Sequence, residues 1–515
     1  MPNVDIITVQ VLSSALRSIC EEMGAALVRA AYSTNIKERR DCSTALFDAR
    51  GRLVAQAEHI PVHLGAMLDA VTSILSLDPE PGDVFILNDP FRGGTHLPDI
   101  SVISPIATPA GIIAYAASRA HHADVGGREP GSMPADSEEL SEEGAVIPPT
   151  RLMAGGRINQ GFMDDFLGRV RRPQERQGDL RAQVGAGRIA ARRLLDLVGR
   201  RGEENVLAAM DEVIAYAERR MRAAITGLPD GVYRAEDWLE RGNQDLIIAV
   251  SVKVEGDKMV VDFEGTSAQE AGNLNCPMPV TRSACYFVLR AITDPDIPPN
   301  AGATAPVRIS APRGCLVNAR PPAAVVAGNV ETSQRIADAL VLALSQAMPL
   351  PAQGQGTMNN LTLGSDEFNY YETIGGGAGA CPDRDGASGI HLGMTNTLNT
   401  PIEALEMDFP LLVESYEFRR GSGGEGRHRG GDGVVRSLRL LKPARLSLLA
   451  DRRRHGPRGA AGGAQGLPGR NLINGREVDG KVTLSLNAGD VVTVETPGGG
   501  GYGEIRSQDL IPKKQ

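Results

Sequence analysis

The amino-acid sequence predicts a mixed α/β (α+β) protein of several domains, with a glycine-rich, β-heavy C-terminal part. Its 515 residues far exceed the roughly 100 to 200 residues of one typical domain. Helical periodicities alternate with strand patterns, and the 60 glycines and 33 prolines stand in dense groups that indicate many tight turns. The predicted domains are an N-terminal α/β domain with a metal site (1–170), a helical segment (171–230), a central α/β domain (231–410) and a β-rich C-terminal domain (411–515).

The first third of the chain is predicted to hold one core helix and several strands. Apolar residues recur in steps of three and four, which places them on one helical face, at Val9, Leu12, Leu16, Ile19, Met23 and Leu27. The segments "STALFD" and "RLVAQA" on either side of "DARG" indicate a hairpin, so Asp41 lies at or near a strand start. Buried strands are predicted in "GDVFILNDP" and "GIIAYAASRAHH".

The rest of the chain changes from helical to strand-rich patterns. Helical periodicity from about 174 to 227 ends at "GLPDG". A hairpin is predicted in "DLIIAVSVKVEGDKMVVDFEGTS", and a long amphipathic helix is predicted in "ETSQRIADALVLALSQAM". From about 410, short strands alternate with glycine turns.

Composition excludes several function classes. Charged residues make up 23% of the chain, and no segment has the roughly 18 uninterrupted apolar residues of a membrane helix. A net charge of -9 argues against a nucleic-acid partner, because such partners require a basic face. The first residues lack the features of a secretory signal, so a cytoplasmic location is expected. The six cysteines form no C-x-x-C pair and are expected to be buried thiols.

Histidines are concentrated in one part of the chain, with five of the eight between residues 59 and 122. In "NDPFRGGTHLPDISV", His96 and Asp99 are three residues apart, and His121 follows at the end of a predicted strand. Histidine and carboxylate are a natural ligand set for zinc, manganese or iron. The pattern predicts a site for one divalent metal formed by His96, Asp99 and His121. The alternative is that each histidine caps a strand or packs with a satisfied hydrogen bond.

Further polar residues near this cluster are candidates for other roles. His122 and Asp124 are predicted to act as a proton carrier and the group that orients it, although a solvated surface is an equally good interpretation. His59 and His63 are four apart, but Pro61 between them interrupts a continuous helix, which makes them weaker ligand candidates.

Glycine-rich and amide-rich motifs have simpler interpretations. "GSGGEG" fits G-x-G-x-x-G, but no helical pattern follows it, and no G-x-x-x-x-G-K-[ST] loop for ATP occurs. "IGGGAGA" and "TPGGGGYG" either shape tight turns or cradle an anion. "GNVETSQ" is predicted to cap a helix that begins near 331. Asn359 and Asn360 are predicted either to hydrogen-bond a substrate carbonyl or to form a turn.

Several ordered motifs resemble those of one known family. They are "STNIKERRDCSTALFDARGRLVAQAEHIPVHLGAM", "NDPFRGGTHLPDI", "HHADVGG", "GSMPADS", "GNVETSQR", "GTMNNLTLG", "MTNTLNTPIEALE" and "TPGGGGYG". Together they resemble the hydantoinase B / 5-oxoprolinase family, from about residue 4 to about 505.

The resemblance implies a hydrolase of cyclic amides that works with a partner. In such a hetero-oligomer, an A-type subunit binds ATP and phosphorylates the amide oxygen, and the B subunit opens the activated ring of a hydantoin, 5-oxoproline or related lactam with water. The family's metal ligands correspond to Asp41, His96, Asp99 and His121, so the resemblance adds Asp41 to the set. His122 or Asp124 would then move a proton to the ring nitrogen.

Two alternatives remain at this point. One is a carboxylase subunit like the alpha subunit of acetone carboxylase, although this chain is shorter than expected for it. The other is a non-catalytic scaffold that only completes the partner's fold, which would have no need for three ligands at strand ends. Cys42 stands where many relatives are expected to have a bulkier residue, a difference that we expect to alter packing rather than ligation.

Overall fold

The computed structural model describes residues 6–58, 60–63 and 65–505. This part of the chain forms three short turns, of 3₁₀ type at Pro61–His63 and Pro90–Arg92 and of π type at Gly328–Thr332. It also forms eleven α-helices. They are α1 (Ile6–Ala30), α2 (Thr34–Lys37), α3 (Ala66–Leu75), α4 (Leu140–Glu143), α5 (Gln160–Arg169), α6 (Pro173–Arg201), α7 (Glu203–Thr226), α8 (Met278–Ile292), α9 (Ala301–Thr304), α10 (Ser333–Leu344) and α11 (Ile402–Asp408).

The described residues also form twenty strands in four sheets. The strands are β1 (Cys42–Asp48), β2 (Leu53–Glu58), β3 (Val84–Leu87), β4 (Asp99–Thr108), β5 (Gly111–His121), β6 (Thr150–Ala154), β7 (Arg157–Ile158), β8 (Gly231–Arg241), β9 (Gln244–Glu255), β10 (Lys258–Asp262), β11 (Val307–Ser310), β12 (Asn360–Gly364), β13 (Asn369–Glu372), β14 (Leu411–Arg419), β15 (Gly433–Leu440), β16 (Ala444–Leu449), β17 (Arg470–Ile473), β18 (Arg476–Val478), β19 (Lys481–Leu486) and β20 (Val491–Glu495).

A seven-stranded antiparallel sheet organises the N-terminal part, in the order β2-β1-β5-β4-β3-β6-β7. Helices α1 and α6 cover one face, where Leu46 and Ala116 share a core with Leu16 of α1. Helix α3 packs against the other face, where Phe47 shares a core with Val71. Because successive side chains of a strand point to opposite faces, this sheet is buried on both sides.

The central and C-terminal parts contain three smaller sheets. Strands β8 to β11 form the order β11-β10-β9-β8, and helices α8 and α10 share an apolar core with this sheet. The orders of the other two sheets are β13-β12-β16-β19 and β14-β15-β20-β17-β18. The inner side chains of these two sheets belong to one core, which includes Leu363, Leu438, Leu448 and Val492. The predicted fold class, a mixed α/β protein with a β-rich C-terminal part, is thus confirmed.

Most of the predicted elements are found. The six apolar positions of the first predicted helix are buried along α1, and β1 and β2 form the predicted hairpin. The segment 244–262 forms the hairpin of β9 and β10, and α6 and α7 occupy the predicted helical segment. Five of the six cysteines are buried and Cys381 is half-buried. The three boundaries between the four predicted domains stay predictions.

The helix cap predicted near 331 was wrong in its detail. Residues Gly328–Thr332 form a turn of π-helix, and α10 begins only at Ser333 without a capping side chain. The carboxylate of Glu331 instead accepts hydrogen bonds from the backbone N–H of Met358 and from Asn360 Nδ2, both at 3.1 Å. Glu331 therefore connects the π turn to the segment at residues 358–360.

The glycine-rich motifs interlock backbone with backbone. Gly377 N–H donates to the carbonyl of Pro497, Gly499 N–H donates to Gly431, and Gly431 N–H donates to Ala378, at 2.8 to 3.0 Å. Because these amides already donate to carbonyls, they favour the turn-shaping interpretation over an anion cradle. Among the described helices, none combines the length and the apolar character needed to cross a membrane.

Candidate metal site at the ends of three neighbouring strands

Three adjacent strands, β1, β5 and β4, bring the predicted ligands to one place. Asp99 of β4 lies directly opposite His121 of β5, and the backbone N–H of His121 donates to the carbonyl of Asp41 at 3.0 Å. Alternation along the strands places Asp41, Asp99 and His121 on the sheet face that α3 covers further along. The sheet register therefore assembles residues that are far apart in sequence.

The loop between β3 and β4 adds His96 to this group. His96 Nε2 lies 3.0 Å from Asp99 Oδ1, and His121 Nδ1 lies 3.3 Å from the same oxygen. One ligand atom from each of the three residues lies within 4.8 Å of the others. All three are buried, with at most 3% of their surface exposed. This spacing suits one metal ion.

The hydrogen-bond inventory of the site also fits a metal. Among the described residues, His96 Nδ1 and His121 Nε2 are buried without a hydrogen-bond partner, and His96 Nε2 has only the ion-pair contact with Asp99 at 3.0 Å. A buried polar atom left without a partner costs free energy, and a cation bound to these lone pairs would remove that cost. The three residues therefore fit a divalent ion that accepts nitrogen and oxygen ligands. Asp41 lines the same cavity but lies outside the close group, so its ligand role stays a prediction.

Neighbouring side chains orient Asp99. Thr95 Oγ1 donates to Asp99 Oδ2 at 2.7 Å. His63 Nε2 lies 3.5 Å from the same oxygen, and His63 Nδ1 lies 3.0 Å from Ser43 Oγ. His63, a weak ligand candidate from the sequence, is therefore part of the site as a neighbour of Asp99. His59 lies outside the described residues.

The site favours the protonation states that a metal requires. Burial alone would raise the pKa of Asp99, but His96, His121 and His63 hold this pKa well below its usual range. Burial lowers the pKa of His121 in spite of the nearby Asp99. A charged carboxylate beside a neutral imidazole is the state in which both residues can bind a cation.

The ligands open onto a small cavity. Its volume is about 20 Å³, which is the room of a single water or ion. The polar side chains that line it are Asp41, His63, His96, Asp99, His121, Asn329, Tyr371, Thr373, Thr395 and Thr397. In this conformation the cavity holds an ion or one oxygen-sized group rather than a whole ring.

Tyr371 covers one side of the site. Its ring stacks on His121 with a centroid distance of 4.6 Å and an interplanar angle of 4°. Its hydroxyl donates to Asn360 Oδ1 at 2.8 Å, and Asn359 Nδ2 donates to Gln355 Oε1 and to a backbone carbonyl. Asn359 and Asn360 do not line the cavity, and their amides are used within the fold. A direct role in substrate binding is not supported for either.

The predicted pairing of His122 with Asp124 was wrong, and neither side chain lines the cavity. His122 follows His121 on the strand, so its ring points to the opposite face of the sheet, where Nε2 lies 2.9 Å from Gln183 Oε1. Asp124 accepts from the backbone N–H groups of Gly126 and Gly131 and pairs with Arg171. Both are buried, so they are not a solvated surface either.

Several cavity residues were not predicted as site residues, although Asn329 lies in the motif "GNVETSQR" and Thr395 and Thr397 lie in the motif "MTNTLNTPIEALE". Thr373, Thr395 and Thr397 come from loops after β13, and Asn329 comes from the π turn. Arg39, behind the threonines, is fully buried. Isolated threonines in irregular segments follow no periodicity, so only the folded chain shows that they meet the histidines.

Comparison with known proteins agrees with the sequence motifs. The family model described as hydantoinase B/oxoprolinase matches residues 5–505. The chain belongs to this family. An uncharacterized protein of Methanocaldococcus jannaschii is 41% identical, covering 98% of this chain and 92% of that protein. The 5-oxoprolinase 1 of Arabidopsis thaliana is 40% identical over 97% of this chain but only 42% of its own length. The chain thus spans about two fifths of that 5-oxoprolinase.

Two solved structures are similar. The ATP-dependent caprolactamase from Pseudomonas jessenii has a TM-score of 0.89 and 29% identity, covering 98% of this chain and 92% of that chain. An acetone carboxylase structure has a TM-score of 0.87 and 19% identity, covering 96% and 75% respectively. At that identity the second likeness shows a shared fold alone.

Proposed function

We propose that this chain is the hydrolytic, ring-opening subunit of an ATP-dependent cyclic amide hydrolase that acts on 5-oxoproline, a hydantoin or a related lactam. Family membership, the 5-oxoprolinase relative and the caprolactamase neighbour support this enzyme class. The buried, closely spaced side chains of His96, Asp99 and His121 are the observation that carries the assignment of the hydrolytic step to this chain.

The chemistry explains why such an enzyme uses both ATP and a metal. An amide resists water because its nitrogen donates electrons into the carbonyl, and phosphorylation of the oxygen makes the carbon electrophilic. A zinc, manganese or iron ion held by His96, Asp99, His121 and Asp41 would supply Lewis acidity that makes water a nucleophile near neutral pH. Water would then add to the activated carbon, the ring carbon–nitrogen bond would break, and a second hydrolysis would release phosphate.

The residues of this chain would prepare the site for that step. Asp99 is held ionised by its three histidine neighbours, and Thr95 fixes one of its oxygens. His63 lines the cavity beside Asp99, and its Nε2 would hold the proton that the ring nitrogen must receive. Tyr371 excludes water from one side of His121. This assignment moves the proton role from His122 and Asp124 to His63.

A partner would supply the phosphorylated substrate. The chain has no Walker loop and spans 42% of the similar 5-oxoprolinase, so more than half of that protein lies outside the shared part. We infer that a separate hydantoinase A-type subunit binds ATP, that the two chains form a hetero-oligomer, and that this assembly works in the cytoplasm.

The test is reconstitution with such a partner. The complex should open 5-oxoproline, hydantoin or caprolactam only with ATP and a divalent metal. A His96→Ala variant in the same complex should lose ring opening while the partner still consumes ATP. Ring opening that survives His96→Ala, with the variant folded by circular dichroism, would contradict the assignment.

A further inference from the structure

A buried arginine beside the candidate metal site has no acidic partner. Arg39 is 1% exposed, and among the described residues no carboxylate oxygen lies within 4.0 Å of its guanidinium. Its recorded acceptors are neutral: Nη1 donates to the Tyr371 carbonyl at 3.0 Å, and Nη2 donates to Thr373 Oγ1 and Thr397 Oγ1 at 3.1 and 3.4 Å. The guanidinium carbon also lies 4.7 Å from the centroid of the Tyr371 ring, so all its partners are uncharged. A buried cation with only uncharged partners favours an anion nearby.

Hydrogen bonds to two threonines connect the Arg39 guanidinium to the cavity. Both line the cavity, both accept from Arg39, and their hydroxyl oxygens are 2.6 Å apart. One hydroxyl must donate to the other, which leaves the second hydroxyl proton without an acceptor in the part of the chain that the structure describes. The group of Arg39, Thr373 and Thr397, here called the arginine–threonine group, therefore offers the cavity one O–H donor that a buried cation polarises.

A second buried arginine near the site also favours a negative substrate group. Arg119 lies on the same sheet face, is fully buried, and donates to Ser101 Oγ and the Gly93 carbonyl, both at 2.8 Å. The carboxylates of Asp99 and Asp69 act on the charge of Arg119. One divalent ion would use the charges of Asp41 and Asp99, which leaves Arg39 without a carboxylate to offset it. A site of this kind favours a substrate group that is itself negative.

We propose that the arginine–threonine group receives one oxygen of the phosphoryl group of the activated substrate, and that Arg39 acts as a positioning residue through the two hydroxyls. Thr373 and Thr397 line the same cavity as the metal ligands, so an oxygen that contacts them lies next to the metal position. This inference rests on the proposed function, because only a phosphorylated amide brings that group to the site. A substrate carboxylate shares the same chemistry and is the competing source.

The test measures binding of inorganic phosphate to the metal-loaded full chain by titration calorimetry. Either threonine can donate when the other is removed, so the decisive variant is the double change Thr373→Val and Thr397→Val, which keeps the side-chain shape. We expect phosphate to bind roughly 10- to 100-fold more weakly to it, with metal content unchanged. Thr362→Val is the matched control, since Thr362 is a buried threonine outside the cavity whose hydroxyl has no hydrogen-bond partner among the described residues, and it should bind phosphate like the wild type.

The possible outcomes separate the competing accounts. Acetate binding that weakens in the double variant, with phosphate binding unchanged, would assign the group to a carboxylate and overturn the phosphoryl assignment. Phosphate binding equal in all chains, or undetectable in the metal-loaded wild type, would also overturn it while the metal site stands. Loss of metal from the wild type would instead count against the proposed function. If the double variant does not fold, Arg39→Lys replaces it, because lysine keeps the charge but lacks the planar guanidinium that donates to both threonines. Arg39→Lys should weaken phosphate binding by the same factor.

Discussion

Asp99 and His121 stand directly opposite each other on neighbouring antiparallel strands, with Oδ1 and Nδ1 3.3 Å apart. The pairing register of β4 and β5 sets this distance, and a shift by one residue would turn one of the two side chains to the other face. The site therefore depends on the packed seven-stranded sheet, which gives it a rigid base.

Asp41 is expected to strengthen metal binding without being essential for it. It lines the cavity but stands apart from the close group of His96, Asp99 and His121. Asp41→Asn should weaken metal affinity about 10- to 100-fold, measured by competition with a chelator of known affinity. Asp245→Asn, at a partly exposed carboxylate that pairs with Arg454, is the control and should change nothing. Equal affinity in both variants would remove Asp41 from the ligand set.

Stability of the metal-free chain is expected to fall as the pH drops below neutral. Burial lowers the pKa of His122 to about 4, so this imidazole stays neutral in the folded chain while it takes up a proton in the unfolded chain below about pH 6.5. The unfolded state then binds more protons, and His122 alone should cost about 2 kcal/mol between pH 7 and pH 5.

Denaturant unfolding with a chelator at the two pH values checks this expectation. The variant His122→Asn, which has no titrating group there, should lose less stability than the wild type over the same interval. An identical loss in both chains would show that His122 does not titrate as its burial requires.

The sequence predicts those parts of the site that lie on regular elements. His96, Asp99 and His121 could be chosen because histidine and carboxylate stand at strand ends, and strands are visible as local apolar runs. The family resemblance, now confirmed, added Asp41. The three ligands were therefore predicted from local strand patterns, and Asp41 was predicted from matched family motifs.

The remaining site residues could not be predicted, for a physical reason. Arg39 and Thr373 make their hydrogen bond across 334 positions of sequence, and Thr373 lies outside helices and strands. His122 is predicted from the sequence to carry a proton with Asp124 as its orienting group, but alternation along β5 sends its ring to the opposite face. Neighbours in sequence are not neighbours on a sheet face.

Arg335 is expected to be essential for stability, because it joins the central part to the C-terminal part. Its buried guanidinium lies 2.8 Å from Asp338 and 3.1 Å from Asp451. Removing it takes one cation from a buried cluster in which, among the described residues, Asp338 keeps only Arg452 and Asp451 keeps only Lys481. Arg335→Met should therefore lower the free energy of unfolding by about 3 kcal/mol. Arg384→Met, at an exposed pair with Asp383, should change it by less than about 1 kcal/mol. Urea unfolding of both variants distinguishes the two cases, and similar small effects would contradict a central role for Arg335.

The glycine-rich motifs are expected to tolerate no side chain where backbones meet. A Cβ at Gly499 would overlap the carbonyl oxygen of Ala378, so Gly499→Ala should destabilise the chain by at least about 2 kcal/mol. Gly199 lies exposed in α6 with open space around it, and Gly199→Ala should stabilise by about 0.5 to 1 kcal/mol. Thermal melting of the two alanine variants gives shifts of opposite sign if the packing is as described.

The most direct test of the central claim is the metal content of the purified full chain, by elemental analysis, in the wild type and in His96→Ala. His455→Ala serves as the control, because that histidine is half-buried and pairs with Asp245 away from the site. We predict close to one equivalent of zinc, manganese or iron in the wild type and the control, and its loss in His96→Ala with the fold intact by circular dichroism. A wild-type chain that neither contains nor takes up a divalent metal would contradict the account.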